Sequence, residues 1–377
     1  MKAGWEKKPL LEVATLQRGF DLPSTERIAG RFPLVSSSGI IDTHNKHAVI
    51  GPGVVTGRSG SIGNVFHIKD NYWPLNTVLY VKDFHGNDPK FVFYLLQYLD
   101  LSRFATGTGV PTLNRNIVHD ELVRIPPLAK QRSIVDILDD AFDKIAVAKV
   151  NAANNLTKSR EIFQSELTNI FTRHETGWTE KPLGALASFR NGINYNKLSS
   201  GERVKIVGVK DFKDDFWAPL DKLDTISIDG NLDAIDELRD GDVLTVRSNG
   251  NAELIGRCIL AANVSEKMTH SGFTIRMRTD RSELLPEFLC HYMKSSQSRT
   301  LLTAGSTGTN IKSLNQQSLA GLNVRYPCRL TEQREVVSRI ERLSADTKRL
   351  EDIYRRKIAA LDELKKSLLH QAFSGGL

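Results

Sequence analysis

The chain has 377 residues, 40% hydrophobic and 25% charged, with 51 Lys and Arg against 44 Asp and Glu for a net charge of +7. That length suits two domains, and the mild positive excess permits a polyanionic partner without requiring one. No run of about 18 apolar residues exists, and the three cysteines form neither a CxxC pair nor a ligand set with histidine, which argues against a membrane span, a disulfide framework and structural zinc.

In chain order, the start MKAGWEKKPLLEVATL lacks the layout of a secretory signal, and a reducing cytoplasm is the expected home. Residues 4–19 read GWEKKPLLEVATLQRG, and residues 177–192 read GWTEKPLGALASFRNG, 173 residues later and without a gap. Further on, TGTGVPTLN ending at Asn114 answers STGTNIKSLN ending at Asn315. Each then meets a proline-marked strand end and a Gln-Arg pair, IPPLAKQR with Gln131-Arg132 and YPCRLTEQR with Gln333-Arg334. Matches in the same order indicate two homologous units in tandem.

Each unit carries short apolar runs such as VVTG, TVLYV, DVLTV and FTIRM, the texture of a mixed domain with many short strands. A stretch of about 45 residues without Pro or Gly follows each and has a helical pattern. In the first, Ile134, Leu138, Ala141, Ile145, Ala148 and Ala152 keep a 3-4 spacing, which slips to Leu156, Phe163, Leu167 and Ile170 as a stutter. In the second, Ile340, Leu343, Thr347, Leu350, Tyr354, Lys357, Leu361, Leu364 and Leu368 form the seam. Helices with so narrow an apolar seam need a partner, and the economical one is the other helix of the same chain; homodimerisation is the alternative. At about 1.5 Å per residue each reaches roughly 55–65 Å. The fold class is therefore α+β, with two homologous mixed α/β domains in tandem (1–130 and 175–329), each followed by a long helix (131–174 and 330–377), the helices packing on each other as a coiled coil.

Catalytic signatures are missing. GRSGSIG at 57–63 is neither a P-loop nor a dinucleotide fingerprint and reads as a turn between strands. The sole Pro-Pro, Pro126-Pro127, has apolar flanks unsuited to an amino-methyltransferase loop, and Glu363-Leu364-Lys365 lies within a heptad pattern rather than a nuclease motif. No metal or cofactor is expected. What remains are polar, glycine-flanked segments bearing donors suited to base edges and phosphates. In the first unit these are Arg58, Ser59, Ser61, Thr106, Thr108, Thr112, Asn114 and Arg115. In the second they are Arg247, Ser248, Asn249, Asn251, Thr307, Thr309, Asn310 and Lys312.

The duplicated unit, the G-W-x-x-K-P-L start of each, the Gly/Thr stretch before Asn114 and Asn315, and the Pro-then-Gln-Arg entry to each helix resemble the specificity subunit of type I restriction-modification systems. The resemblance covers the whole chain. It implies that each globular unit is a target recognition domain reading one half of a split, asymmetric sequence in double-stranded DNA. It further implies that the two helices pack as an antiparallel coiled coil that acts as a spacer, and that two methyltransferase subunits dock on the chain, joined by restriction subunits, with no membrane involved. Three other readings remain: an enzyme that itself methylates or cleaves DNA, a coiled-coil scaffold whose globular domains bind proteins, and a specificity subunit of a related fused restriction-methylation system.

Overall fold

The structure, a computed structural model, describes residues 4–107, 111–173, 176–196, 198–304 and 313–377. The chain divides into two units, one running to Asn154 and including Tyr354–Leu377, the other spanning Asn155–Ile353. No helix among the described residues is long and apolar enough to cross a membrane.

The first unit begins with β1 (Glu6–Pro9) and β2 (Thr15–Arg18), then the hairpin β3 (Phe32–Ser36) and β4 (Gly39–His44). Next come β5 (Gly53–Gly57), β6 (Val65–Ile68), β7 (Trp73–Pro74) and β8 (Val78–Asp83). Helix α1 (Pro89–Tyr98), β9 (Ala105–Thr106), β10 (Thr112–Leu113), α2 (Arg115–His119) and β11 (Leu122–Ile125) lead into the long helix α3 (Leu128–Thr172). The strands form a four-stranded sheet in the order β2-β8-β5-β6, a three-stranded sheet β4-β3-β7 and the pair β1-β11. β5 has all five residues buried, as a central strand covered on both faces must, and Val54, Leu79 and Val81 pack there against Phe91 and Leu95 of α1. Asp88 starts α1 by accepting from the backbone N–H of Lys90 and Phe91 at 2.9 and 3.0 Å, and Pro89 follows at the first helical position.

The second unit repeats the plan with β12 (Trp178–Pro182), β13 (Ala187–Asn191), β14 (Arg203–Val207) and β15 (Asp224–Ser227). It continues through β16 (Val243–Val246), β17 (Cys258–Leu260), β18 (Met268–His270) and β19 (Thr274–Thr279) to α4 (Pro286–Lys294) and α5 (Ser296–Ala304). Helix α6 (Gln316–Ala320), β20 (Asn323–Pro327) and the long helix α7 (Leu330–Ser374) complete it. Its sheets run β13-β19-β16-β17, β15-β14-β18 and β12-β20, matching those three sheets of the first unit strand for strand. Even the parallel strand pairing recurs, β3 with β7 and β14 with β18. The duplication read in the sequence is thus a duplication of topology.

The Gln-Arg entry to each long helix has a structural cause. Gln131 is 2% exposed; its amide donates to Asn87 Oδ1 and to the Pro126 carbonyl at 2.7 and 2.9 Å, while its Oε1 accepts from the Asp88 N–H at 2.9 Å. Gln333, fully buried, donates to the carbonyls of Glu283 and Pro327 at 2.8 and 2.9 Å and accepts from the Leu285 N–H at 2.8 Å. In both units one side chain satisfies backbone groups at the strand end and at the start of the short helix, which burial would otherwise leave unpaired.

The helices pair antiparallel within each unit. In the first, Lys149 meets Asp362 at 2.5 Å and Lys365 lies 4.9 Å over the Phe142 ring. In the second, Arg160 clamps Glu351 through bonds of 2.9 and 3.0 Å, and Arg339 reaches Glu166 at 3.6 Å. Two details of the expected seam are corrected. Along α7 the covered positions run Ile340, Ser344, Thr347, Glu351, Tyr354, Ile358, Leu361, Lys365 and Leu368, while Leu350 and Leu364 are 43% and 46% exposed and Lys357 is exposed. One half of the heptad therefore lies one residue later than apolar character suggests, because Glu351 and Lys365 have partners on α3. Along α3 the order Phe142, Ile145, Lys149, Ala152, Leu156, Ser159, Phe163, Glu166 and Ile170 is covered without a break, so the slip expected between Ala152 and Leu156 does not occur there. Ile134, Leu138 and Ile145 are buried, and Leu156, Phe163 and Leu343 are half-buried.

Each helix ends in a core. Phe373 near the end of α7 packs on Phe91 and stacks on Tyr98, both at 5.2 Å, in the first unit. Phe171 near the end of α3 meets Phe288 and Tyr292 edge-on at 5.4 Å in the second.

Candidate nucleic-acid interface

The polar segments singled out in the sequence sit at equivalent points of the two units. In the first, GRSGSIG is the turn between antiparallel β5 and β6, as read from the sequence. The chain folds tightly there, since a Cβ on Gly57 would lie 2.0 Å from the Ser61 carbonyl oxygen and Gly60 and Gly63 take φ of +81° and +87°. The Thr77 carbonyl accepts from the backbone N–H of both Arg58 and Ser59 at 2.9 and 3.2 Å, and the Arg58 carbonyl accepts from Leu113 at 2.8 Å. In the second unit the Phe273 carbonyl accepts from Arg247 and Ser248 at 2.8 and 3.3 Å, and the Arg247 carbonyl accepts from Leu314 at 2.8 Å. The same three-bond knot therefore fixes Arg58-Ser59 and Arg247-Ser248, each against the residue that precedes a capping asparagine.

Those asparagines explain the second sequence match. Asn114 caps α2 by accepting from the Asn116 N–H at 3.0 Å, and Asn315 caps α6 by accepting from the Ser318 N–H at 2.7 Å. Thr112 pairs with Thr106 across β10 and β9 and bridges to Ser59, which brings Arg58, Ser59 and Thr112 together. Arg115 is exposed in the first turn of α2, and Ser61 is exposed at the turn. In the second unit Asn249 Oδ1 accepts from the Asn251 N–H at 2.8 Å, and Asn251 Oδ1 from the Glu253 N–H at 3.0 Å, so both form successive local turns. Thr108, Thr307, Thr309, Asn310 and Lys312 lie outside the described residues.

Not every basic residue is available. Arg58 is half-buried and donates to the Asn76 carbonyl at 3.0 Å, which holds its guanidinium against the turn. Arg276 is 4% exposed and donates to the carbonyls of Ile235 and Glu237, and Arg278 forks onto the buried Asp242 at 2.7 Å. These β19 arginines build the second unit's interior. Arg247 makes no side-chain hydrogen bond to a described residue.

The structure adds groups that the sequence did not single out. Beside Ser248 and Asn249 a cavity of about 440 Å³ opens, walled by Tyr195, Phe273, Lys210 and Asp224. Phe273 is 61% exposed at the turn between β18 and β19, and Tyr195 is 41% exposed. Lys210 pairs with Asp224 at 2.5 Å, and that carboxylate's hydrogen bond holds the ammonium above its ordinary pKa. A lone Phe between two strand patterns reads as core, and only its burial tells otherwise. Among the described residues there is no cluster of three side chains able to hold a metal ion.

Residues 2–158 match the family model described as type I restriction modification DNA specificity domain. The chain is 26% identical over 297 residues to the type I restriction enzyme StySPI specificity subunit of Salmonella potsdam, spanning 76% of this chain and 63% of that protein. It is 25% identical to the EcoKI specificity subunit of Escherichia coli strain K12, spanning 68% of this chain and 57% of that one. The matches thus span less than two thirds of those relatives. Among solved structures, the whole chain superposes on a chain from a study of assembly and conformational transition of the type I R-M system, with TM-score 0.78, 18% identity and 99% of that chain covered. It also superposes on the HsdS subunit of Thermoanaerobacter tengcongensis with TM-score 0.62, 20% identity and 98% of that chain covered.

Proposed function

We propose, from the match of residues 2–158 to the type I restriction modification DNA specificity domain and the likeness of the whole chain's fold to an HsdS subunit, that this protein reads a bipartite, asymmetric target in double-stranded DNA. Each unit contacts one half-site through the loop after β5 or β16 and the neighbouring capped helix. The observation that carries this reading is the repeated backbone knot at Arg58-Ser59 and Arg247-Ser248, which presents polar side chains from one rigid framework in both units. Arg is suited to guanine, Asn to adenine, and Ser and Thr to phosphate oxygens. Because the side chains around the two knots differ, the two half-sites differ as well.

The chemistry belongs to partners in this proposal: two methyltransferase subunits and the restriction subunits dock on the chain, which works without a cofactor in the cytoplasm and is itself not catalytic. The continuous 45-residue helices α3 and α7 set the unread gap. One helical turn spans about 5.4 Å and one base pair about 3.4 Å, so a change of one turn in both helices alters the gap by one or two base pairs. Exchanging residues 177–327 for another recognition unit tests the reading. One half-site of the selected DNA changes and the other stays; a change in both, or in neither, contradicts it.

A further inference from the structure

The cavity beside Ser248 and Asn249 differs from a phosphate site in its chemistry. Its one cation, Lys210, is neutralised by Asp224 on the same wall, and a phosphate brought there would meet that carboxylate. Its other walls are two exposed aromatic rings, Tyr195 and Phe273, which a freely soluble surface would not favour at 41% and 61% exposure. The aromatic wall is firmly built. Ile193 exchanges bonds with the next turn, donating to the His270 carbonyl at 2.9 Å and accepting from Gly272 at 2.8 Å, while Phe273 donates to Ser271 Oγ at 3.3 Å. A Cβ on Gly272 would lie 2.1 Å from Asn194 Oδ1, so the segments carrying Tyr195 and Phe273 are held in close approach.

Asn249 stands at the rim with its amide oriented by the bond that Oδ1 accepts from Asn251. That leaves one lone pair on the oxygen and both amide hydrogens for a ligand. A carboxamide matches the N6 donor and N7 acceptor of adenine, and an apolar ring matches the C5 methyl of thymine, which lies beside them in the major groove. Resting on the DNA-reading function above, we propose that this cleft seats the major-groove edge of one A·T pair of the second unit's half-site, with Asn249 on adenine and Phe273 against the thymine methyl. Phe273 is then a specificity-determining residue, and its counterpart in the first unit's knot is Thr77, which gives that unit a different preference.

The test uses the full chain with whatever methyltransferase subunits co-purify, and duplexes selected from a random pool. Each thymine of the selected site is replaced in turn by deoxyuridine, which lacks the methyl group. At one thymine of the half-site that follows residues 177–327, the replacement should weaken binding about fourfold, the worth of one buried methyl. Phe273→Ala should lose that sensitivity at the same position, Phe273→Leu should keep most of it, and Asn249→Ala should relax the choice of that pair. An unchanged deoxyuridine penalty in Phe273→Ala, or a second half-site without an A·T pair, overturns the inference while leaving the DNA-reading function intact. Failure to enrich any duplex overturns both.

Discussion

Two histidines in the second unit are held neutral by their surroundings. His270 is pushed down to about 3 by burial and by the nearby Arg276 guanidinium, and His291 to about 4 by burial and Lys294. Thr274 Oγ1 donates to the Ser271 carbonyl at 2.7 Å, so it accepts from His270 Nδ1 at 2.9 Å, leaving Nε2 without a partner for a second proton. Both folded values lie below the ordinary 6.5, so on acidification the unfolded chain takes up protons first. This contribution to stability is complete above about pH 6.5 and falls as the pH drops toward 4, by about 2 kcal/mol per histidine at pH 5. Urea unfolding at pH 7 and pH 5 should show that loss in the second unit, and His291→Phe, whose ring can keep the stack on Phe216, should remove about half of it. Equal stability at both pH values would contradict the account. The two knot arginines are also separable at this scale. Arg247→Ala should weaken DNA binding and lower its salt slope by about one if the guanidinium meets a phosphate, with little effect on folding. Arg58→Ala should in addition destabilise the first unit by about 1 kcal/mol, because it releases the Asn76 carbonyl.

The long helices show how two kinds of side chain compete for one seam. Apolar character favours Leu350 and Leu364, yet the covered positions belong to Glu351 and Lys365. Glu351 gains a two-bond clamp from Arg160, and Lys365 holds its ammonium over the Phe142 ring. Leu350→Gln should therefore change stability by less than about 0.5 kcal/mol. Ile340→Ala, at a position with no exposure, should cost about 2–5 kcal/mol. Thermal unfolding of the two variants checks both numbers, and a large loss from Leu350→Gln would restore the simpler heptad. The existence, length and mutual pairing of the helices were legible in the spacing of apolar residues and in the absence of Pro and Gly, while their antiparallel sense came from the resemblance. The phase was not legible, because it depends on charges some 190 residues away along the chain. Gln131 and Gln333 were visible as a repeated motif, but their role as backbone brackets appears only when the strand end and the short helix are seen around them.

At the scale of the whole molecule, a single pattern is used twice with different side chains. The sheets, the knots, the glutamine brackets and the aromatic plugs Phe171 and Phe373 all recur. Such repetition was readable from short matches such as Gly4–Gly19 with Gly177–Gly192 and from Asn114 with Asn315. The position of Phe373 in the first unit's core was not readable, since no local pattern links the last turn of the chain to Phe91. Phe273 was missed for the opposite reason, its surroundings in sequence resembling a strand interior. The most direct measurement is a selection of duplexes from a random DNA pool by the tagged chain, purified from its own cells at moderate salt with its bound partners. The account predicts a co-purifying methyltransferase and a split sequence, two unlike half-sites at a constant gap. Other proteins without any enriched DNA, or a single uninterrupted sequence, would contradict it.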